Sequence, residues 1–425
     1  MLVAANILVV GALIFVAHAF TGVFSRTRVP DVLLLTIIGL ILGPILHLVR
    51  PENFGSVGPV FAAVTLVIIL FEAGLSLDLD ILRGSIRTTL TLTLTTFLLT
   101  MIVVGIAGHY MLHLEPRLTF MLGAIVGSTS PAVIVPLTKK LQMEQATKTV
   151  LFLESAVSDV LSIVVTFGFI DSFRLGKLQV TQVFGQLIAT FVLAGLLGGG
   201  SAIIWSVLLR RIRGLENSMF TTPAFVFVLF GVVELLGYSG YVAAAVFGAV
   251  LGNIESFRGM EWVRRYVPAD PITLNEPERV FLAEVVFLLK TFFFVYVGVS
   301  IRLSEPWTAY IALALTTIIF LLRIPSARIA LNRSTQKHDA ALVSVMSPKG
   351  LAAVVLASIP LEQHLPGGEI LQAVTYGIVF LSIVFTSILT FLVERTRVAN
   401  LYTALFRGFA SSPPLDPVPA SNAEA

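Results

Sequence analysis

Long apolar runs separated by short polar segments make up most of the chain. Most of the runs are close to the roughly 20 residues that an α-helix needs to cross a bilayer. The pattern predicts an all-α polytopic membrane protein of about 13 transmembrane helices, at residues 2–24, 31–49, 57–75, 87–113, 118–138, 147–170, 180–208, 219–237, 239–253, 280–301, 307–330, 339–360 and 370–393. The first run lacks a basic segment before it and is interpreted as a span, not as a cleaved signal.

Composition agrees with a membrane protein and excludes other classes. The 425 residues are 56% hydrophobic and 12% charged, with a mean hydropathy of +0.93, whereas a soluble domain carries about 25% charged residues. The net charge of +3 therefore indicates no nucleic-acid partner, and lipid is the expected environment. The absence of cysteine excludes disulfides and thiolate metal sites.

The basic residues predict the orientation. An odd number of spans places the termini on opposite sides, and this divides twenty basic residues on one face from five on the other, Arg50, Arg117, Arg174, Lys177 and Arg302. Cytoplasmic loops are enriched in lysine and arginine. We therefore expect a multi-pass protein of the plasma (inner) membrane with its N-terminus outside and its C-terminus in the cytoplasm. Residues 396–425, rich in Pro, Ser and Ala, are predicted to be a short disordered cytoplasmic tail.

Two predicted spans are interrupted by a Ser-Pro pair. "VGSTSPAVIVP" (126–136) in the fifth span is echoed by "VSVMSPKGLAAVV" (343–355) in the twelfth. Because these spans are seven apart, the two halves of the chain face in opposite directions. Proline-interrupted spans in inverted halves indicate the midplane site of a secondary transporter. The pattern predicts inverted repeats with two discontinuous crossing helices; two kinked helices without a function are the alternative.

The densest group of polar residues within a span is "LFLESAVSDVLSIVV" (151–165). Ser155, Ser158 and Asp159 are spaced i, i+3 and i+4, so they share one helix face. Three oxygen side chains, one of them a carboxylate, suit a monovalent cation, and Thr129 and Ser130 of the first break complete the predicted site. The alternatives are ordinary interhelical hydrogen bonds for the serines and a structural ion pair for Asp159.

Other charges in apolar runs need neutralising partners, because each is costly in a bilayer. Arg323 in "FLLRIPSAR" is predicted to form a structural ion pair with Glu154. Lys290 and Glu284 share a span, and either they form an internal ion pair or Lys290 is a functional ammonium group; both residues are candidate modulators of transport. Lys349, which follows the second Ser-Pro pair, is placed to offset helix-end dipoles.

Six motifs carry a family resemblance over about residues 5–395. In chain order they are "LFEAGLSLD", "TSPAV", "ESAVSD", "FFFVYVGVSI", "RIPS" and "SPKGLAAVVLA". Together they resemble the cation:proton antiporter superfamily, in particular its NhaP-type sodium/proton antiporter branch. The resemblance implies a membrane domain over 1–395 that forms a homodimer, with core helices within about 87–170 and 307–393 and a dimerisation side within about 1–75 and 180–301.

The resemblance also implies roles for individual residues. Asp159 is the carboxylate that binds cation or proton, and Thr129, Ser155 and Glu72 are further ligands; from the sequence alone Glu72 lies either at the cytoplasmic entrance or at the membrane interface. Glu154 and Arg323 match the family's ion pair. No cofactor is implied beyond the transported cation and proton.

Three positions depart from the branch pattern. Ser130 replaces an aspartate, Ser158 replaces an asparagine, and Lys290 stands where the branch has a neutral residue. Na⁺ is the favoured cation, with K⁺ or Li⁺ as alternatives and a potassium/proton efflux antiporter as the alternative function. A single acidic group in the site predicts electroneutral exchange.

Two other function classes are disfavoured by the sequence. A cation channel requires a continuous polar pore with filter loops, and the paired broken helices argue against one. A membrane enzyme is disfavoured because the six histidines form no metal-ligand cluster along the chain.

Overall fold

The computed structural model describes residues 11–20, 31–49, 57–75, 79–175, 180–212, 218–254, 274–301, 306–396 and 398–410. Within these ranges the chain is helical and contains no β-strand beyond an isolated bridge between Gln336 and Ala410. The helices are α1 (Gly11–Phe20), α2 (Asp31–Leu40), α3 (Val57–Leu75), α4 (Leu79–Leu112), α5 (Pro116–Ile125), α6 (Pro131–Lys140), α7 (Gln145–Leu175), α8 (Val180–Ile212), α9 (Thr221–Leu235), α10 (Gly240–Gly252), α11 (Glu276–Val299), α12 (Pro306–Ala330), α13 (Lys337–Val345), α14 (Leu351–Glu362), α15 (Gly368–Arg395) and α16 (Val398–Leu405).

Among the described residues, six helices are long and apolar enough to cross a membrane: α4, α7, α8, α11, α12 and α15. Shorter apolar helices, including α3, α9 and α10, accompany them. The predicted all-α membrane architecture is therefore confirmed. The total of thirteen spans stays a prediction.

Helix ends follow local sequence signals. Asn275 and Glu278 form a capping box that begins α11, and the Ser239 side chain accepts a hydrogen bond from Val242 N to begin α10. Such caps satisfy amide groups that have no partner within the helix. Between α9 and α10, Gly237 takes a positive φ of 81°, which glycine adopts without strain.

The two Ser-Pro segments interrupt their helices as the sequence predicts. Residues 126–130 separate α5 from α6, and residues 346–350 separate α13 from α14. Pro131 occupies the first helical position of α6, where proline is favoured because its missing N–H has no helical partner. Each break thus leaves main-chain groups that other parts of the molecule must satisfy.

The buried apolar side chains form two main groups. One group lies around α3, α8, α9 and α10 and includes Phe71, Trp205, Leu229 and Phe247. The larger group involves α1–α7, α11, α12, α14 and α15. Close backbone contact between α3 and α10 requires glycine, because a Cβ at Gly248 would overlap the main chain of α3.

The segment that follows α15 differs from the prediction. Residues 398–410 were expected to be disordered, but they form α16 and a turn that packs against the helices. Phe406 and Phe409 are buried in a cluster with side chains of α6, α7 and α13. The two aromatic side chains supply enough apolar area to order the segment; residues 411–425 lie outside the described part of the chain.

Candidate functional site

Two serines of α7 form hydrogen bonds with main-chain groups on either side of the first break. Ser158 Oγ accepts a hydrogen bond from Thr129 N at 3.0 Å, and Ser162 Oγ donates to Ala124 O at the end of α5, at 2.9 Å. These serines lie one helical turn apart, so α7 holds both sides of the break. The spacing of polar residues on α7 therefore matches the gap in the neighbouring helix.

The second break is bonded to the first. Ser130 N donates to Pro348 O at 2.7 Å, and Lys349 N donates to Ser382 Oγ on α15 at 2.8 Å. A Cβ at Gly350 would overlap the Ser130 side chain. Glycine at this position therefore permits the two breaks to meet.

A buried ammonium group lies at this junction. Lys349 has no exposed surface, and its Nζ donates to Ser128 O at 2.8 Å and to Ser347 Oγ at 3.1 Å. The lysine ammonium group, which belongs to the second break, thus satisfies a free main-chain carbonyl of the first break. That the ammonium group also offsets the dipoles of the half-helix ends stays a prediction.

Asp159 faces the same junction. It is 6% exposed, its carboxylate accepts a hydrogen bond from the Ser128 side chain, and Lys349 is within electrostatic range. The Thr129 hydroxyl is fully buried and has no hydrogen-bond partner among the residues that the structure describes. Burying such a group is unfavourable unless a partner satisfies it. A carboxylate and an unsatisfied hydroxyl therefore lie where the two breaks meet.

Ser155 and Ser158 of the predicted site lie on the same face of α7 as Asp159. Ser155 Oγ donates to Phe152 O at 2.7 Å, and Ser158 Oγ donates to Ser155 O at 3.1 Å. Each hydroxyl thus directs its hydrogen to a carbonyl of its own helix, so its oxygen lone pairs can act as acceptors. One lone pair of Ser158 already accepts from Thr129 N. Oxygen donors of this kind suit a hard cation.

A cavity of about 510 Å³ reaches Asp159 from one side. Asp159 and Ser172 both line it, so it follows α7 for about 20 Å at a helical rise of about 1.5 Å per residue. Its far end is lined by Gln182 of α8 and by Gly237–Ser239 between α9 and α10. We call this end of the molecule, where α7 ends and α8 begins, the α7–α8 face.

Glu154 and Arg323 form a bidentate ion pair in the buried core. Arg323 Nε also donates to Val343 O at the end of α13, at 3.0 Å, and its Nη1 donates to Thr96 on α4, at 3.1 Å. The pair thus connects α4, α7, α12 and α13. Both oxygens of the Glu154 carboxylate accept hydrogen bonds from the Arg323 guanidinium group. Neither residue lines the cavity.

Glu72, which the resemblance suggests as a cation ligand, lies elsewhere. Its Oε1 is 2.5 Å from Nζ of Lys139, at the end of α6. Glu72 is not among the residues that line the cavity. The structure therefore brings Glu72 to a lysine of the second half-helix and not to the cavity in front of Asp159.

The structure does not bring Glu284 and Lys290 together as an internal ion pair, one of the two alternatives for these residues. Both residues lie in the described part of α11, where Glu284 is exposed and Lys290 is buried, and no ion pair joins them there. Six helical residues correspond to a rotation of about 240°, so the side chains leave the helix in different directions. Lys290 Nζ instead lies 5.9 Å from the ring centroid of Phe287.

Several residues of the site were not singled out from the sequence. Ser128 lies inside the quoted "STSP" segment, and a polar run next to a break is a signal for it. Ser162 continues the i+4 spacing from Ser158 on α7. Ser382 and Thr96 carry no local signal, because only tertiary packing brings α15 and α4 to the junction.

Two interrupted helices bonded to each other, with a buried carboxylate at their junction and a cavity leading to it, are typical of a secondary transporter. The family model "Sodium/hydrogen exchanger, transmembrane" matches residues 11–395. The chain therefore belongs to the sodium/hydrogen exchanger family. Membership confirms a cation:proton antiporter, which is a transporter and not an enzyme.

Curated relatives include antiporters for two cations. Na(+)/H(+) antiporter 1 of Methanocaldococcus jannaschii is 26% identical over 353 residues, which cover 78% of each chain. K(+)/H(+) antiporter NhaP2 of Shewanella sp. is 24% identical over 386 residues, 88% of this chain and 64% of the relative. The structure of the M. jannaschii sodium proton antiporter MjNhaP1 at pH 8 has a TM-score of 0.70 at 23% identity and covers 96% of this chain and all of the other.

Proposed function

We propose that the protein exchanges sodium ions for protons, one for one, and that both ions compete for Asp159. The observation that supports this most directly is the buried Asp159 carboxylate at the junction where the Thr129 hydroxyl has no protein partner. A dehydrated monovalent cation bound by these oxygens and by the Ser155 and Ser158 hydroxyls would satisfy both groups. The Ser130 side chain adds a further oxygen beside Gly350.

Coupling follows from the chemistry of a desolvated carboxylate. Removal from water favours the neutral, protonated form, and a bound cation favours the charged form. Asp159 therefore holds either a proton or a cation at a given moment. Each arrival displaces the other ion, and this exclusion links the two fluxes without any cofactor.

Transport also requires that Asp159 reach each side of the membrane in turn. We assign about thirteen spans, with core helices within about 87–170 and 307–393 and a dimerisation side within about 1–75 and 180–301. The two joined breaks would move with the core as one unit, because Ser130 and Pro348 connect its halves. With the N-terminus outside and the C-terminus in the cytoplasm of a plasma-membrane homodimer, the cavity at the α7–α8 face opens outward.

Potassium/proton antiport is the second candidate. Ser130 and Ser158 replace an acidic and an amide side chain of the sodium-exchanging branch, which removes strong ligands for a small cation. A weaker oxygen field favours the ion that is easier to dehydrate. A relative that is itself named a K(+)/H(+) antiporter is consistent with this alternative.

Purified protein in proteoliposomes with an imposed pH gradient tests the proposal. Added Na⁺ should dissipate the gradient at a lower half-saturating concentration than added K⁺ or Li⁺. A lower half-saturating concentration for K⁺ would establish the second candidate. Cation current without proton counter-flow would indicate a channel and overturn both.

A further inference from the structure

The cavity holds a second carboxylate that the exchange at Asp159 does not use. Glu234 lies in the last turn of α9 and lines the same cavity as Asp159. Tyr241 of α10 lines this cavity as well. Glu234 therefore lies on the approach to Asp159 from the α7–α8 face.

The surroundings hold the Glu234 charge but do not neutralise it. Its Oε1 accepts a hydrogen bond from Gly240 N at 2.8 Å. A Cβ at Gly240 would overlap the Phe230 ring and crowd Cγ of Glu234. Glycine therefore allows the main chain at this position to approach α9 closely. Within the described residues no lysine or arginine forms an ion pair with Glu234, and its own helix presents the negative end of its dipole there.

The described lining of the cavity has two acidic residues and no lysine or arginine. Its other polar groups are hydroxyls and amides, from Ser172, Gln182, Gln186, Thr190, Tyr238, Ser239 and Tyr241. A cleft with charges of one sign and low-dielectric walls concentrates the opposite ion. The cavity is thus suited to collect cations and to exclude anions.

We infer that Glu234 forms an outer binding station for the transported monovalent cation, from which the ion passes to Asp159. The inference rests on the proposed function and adds a recruitment step to it. The carboxylate binds a partly hydrated cation beside the hydroxyl and amide oxygens of the cavity. The Tyr241 side chain lines the same cavity as both acids.

The test compares Glu234→Gln with wild type in proteoliposomes, using cation-dependent proton flux. Glutamine keeps an oxygen that can accept from Gly240 N, so the variant removes charge without removing the hydrogen bond. At low ionic strength the KM for Na⁺ supplied at the α7–α8 face should rise about tenfold, the lower end of electrostatic focusing effects. The maximal rate and the KM at the opposite face should not change.

Glu369→Gln is the matched control. Glu369 is exposed in the first turn of α15 and is not among the residues that line the cavity. The substitution removes the same negative charge as Glu234→Gln. The α14–α15 connection lies on the α7–α8 face. Gly367 of this connection contacts Leu114, and Arg117, three residues further along the chain, donates to Ser172 O near the end of α7. Glu369→Gln should leave KM unchanged, and Glu234→Asp should restore most of the affinity.

Ionic strength provides a second readout. The Debye length falls from about 30 Å at 0.01 M to about 3 Å at 1 M, so added choline chloride should shrink the KM difference between Glu234→Gln and wild type. An unchanged KM in Glu234→Gln at low ionic strength, or an equal rise in Glu369→Gln, would overturn the outer station while wild-type exchange upholds the proposed function. Wild-type protein that exchanges no monovalent cation would overturn both.

Discussion

Ser130 N donates a hydrogen bond to Pro348 O across 2.7 Å, and this bond joins the two interrupted helices at their breaks. Each break has main-chain groups with no helical partner, and in a bilayer such groups must be satisfied within the protein. The Lys349 ammonium group adds a second link through Ser128 O. The two half-helix pairs therefore behave as one element beside Asp159.

Asp159→Asn should abolish cation-dependent proton flux, because asparagine neither binds a proton in exchange for a cation nor supplies negative charge. The protein should remain folded, since the amide keeps an oxygen that accepts from Ser128. Flux in proteoliposomes and thermal unfolding in detergent measure the two effects. Substantial Na⁺-dependent proton flux in this variant would show that the exchange occurs elsewhere.

Thr129→Val should weaken cation binding without destabilising the protein. The lost hydroxyl has no partner among the described residues, so its removal relieves a buried unsatisfied group, which costs about 1–3 kcal/mol. The loss of one cation ligand should raise the KM for Na⁺ about tenfold, equivalent to about 1.4 kcal/mol. Thermal stability should equal or exceed that of wild type.

Thr386→Val is the control for this prediction. Thr386 on α15 is also fully buried without a hydrogen-bond partner among the described residues, but it does not line the cavity. It should gain stability to a similar degree and transport normally. If Thr129→Val transports with wild-type KM, Thr129 is not a cation ligand.

Glu154→Gln should destabilise the core, because Arg323 then keeps a buried charge without its carboxylate. Breaking a buried pair on one side costs about 3–5 kcal/mol. The double variant Glu154→Gln/Arg323→Gln should unfold at a higher temperature than Glu154→Gln alone, since no uncompensated charge remains. A single variant as stable as wild type but inactive in flux assays would instead give Glu154 a direct role in transport.

Exchange should be electroneutral, because Asp159 is the acidic group at the junction and trades one proton for one cation. The rate in proteoliposomes should therefore not follow an imposed membrane potential. Lys290→Ala, which removes a buried ammonium group of α11, should leave this independence unchanged. A wild-type rate that follows the sign of the potential, lost in Lys290→Ala, would establish an electrogenic cycle involving Lys290.

The sequence by itself determined the class of protein and the main features of the site. Apolar runs near the bilayer thickness indicated the membrane helices. The two Ser-Pro pairs marked both breaks, because proline cannot donate the hydrogen bond of a helix interior and is favoured at the first position of a new helix. The i, i+3, i+4 spacing put Ser155, Ser158 and Asp159 on one face of α7. These features depend on local geometry, which neighbouring residues specify.

Only the tertiary structure decided which polar groups meet. Ser382 reaches Lys349 N from α15, and Glu72 contacts Lys139, because helices distant in sequence pack side by side. Glu234 could not be found from the sequence, because no motif marks it and it is distant along the chain from Asp159. The two residues nevertheless line the same cavity. Helical periodicity gives the direction of a side chain from its own axis, whereas its partner depends on how the helices pack together.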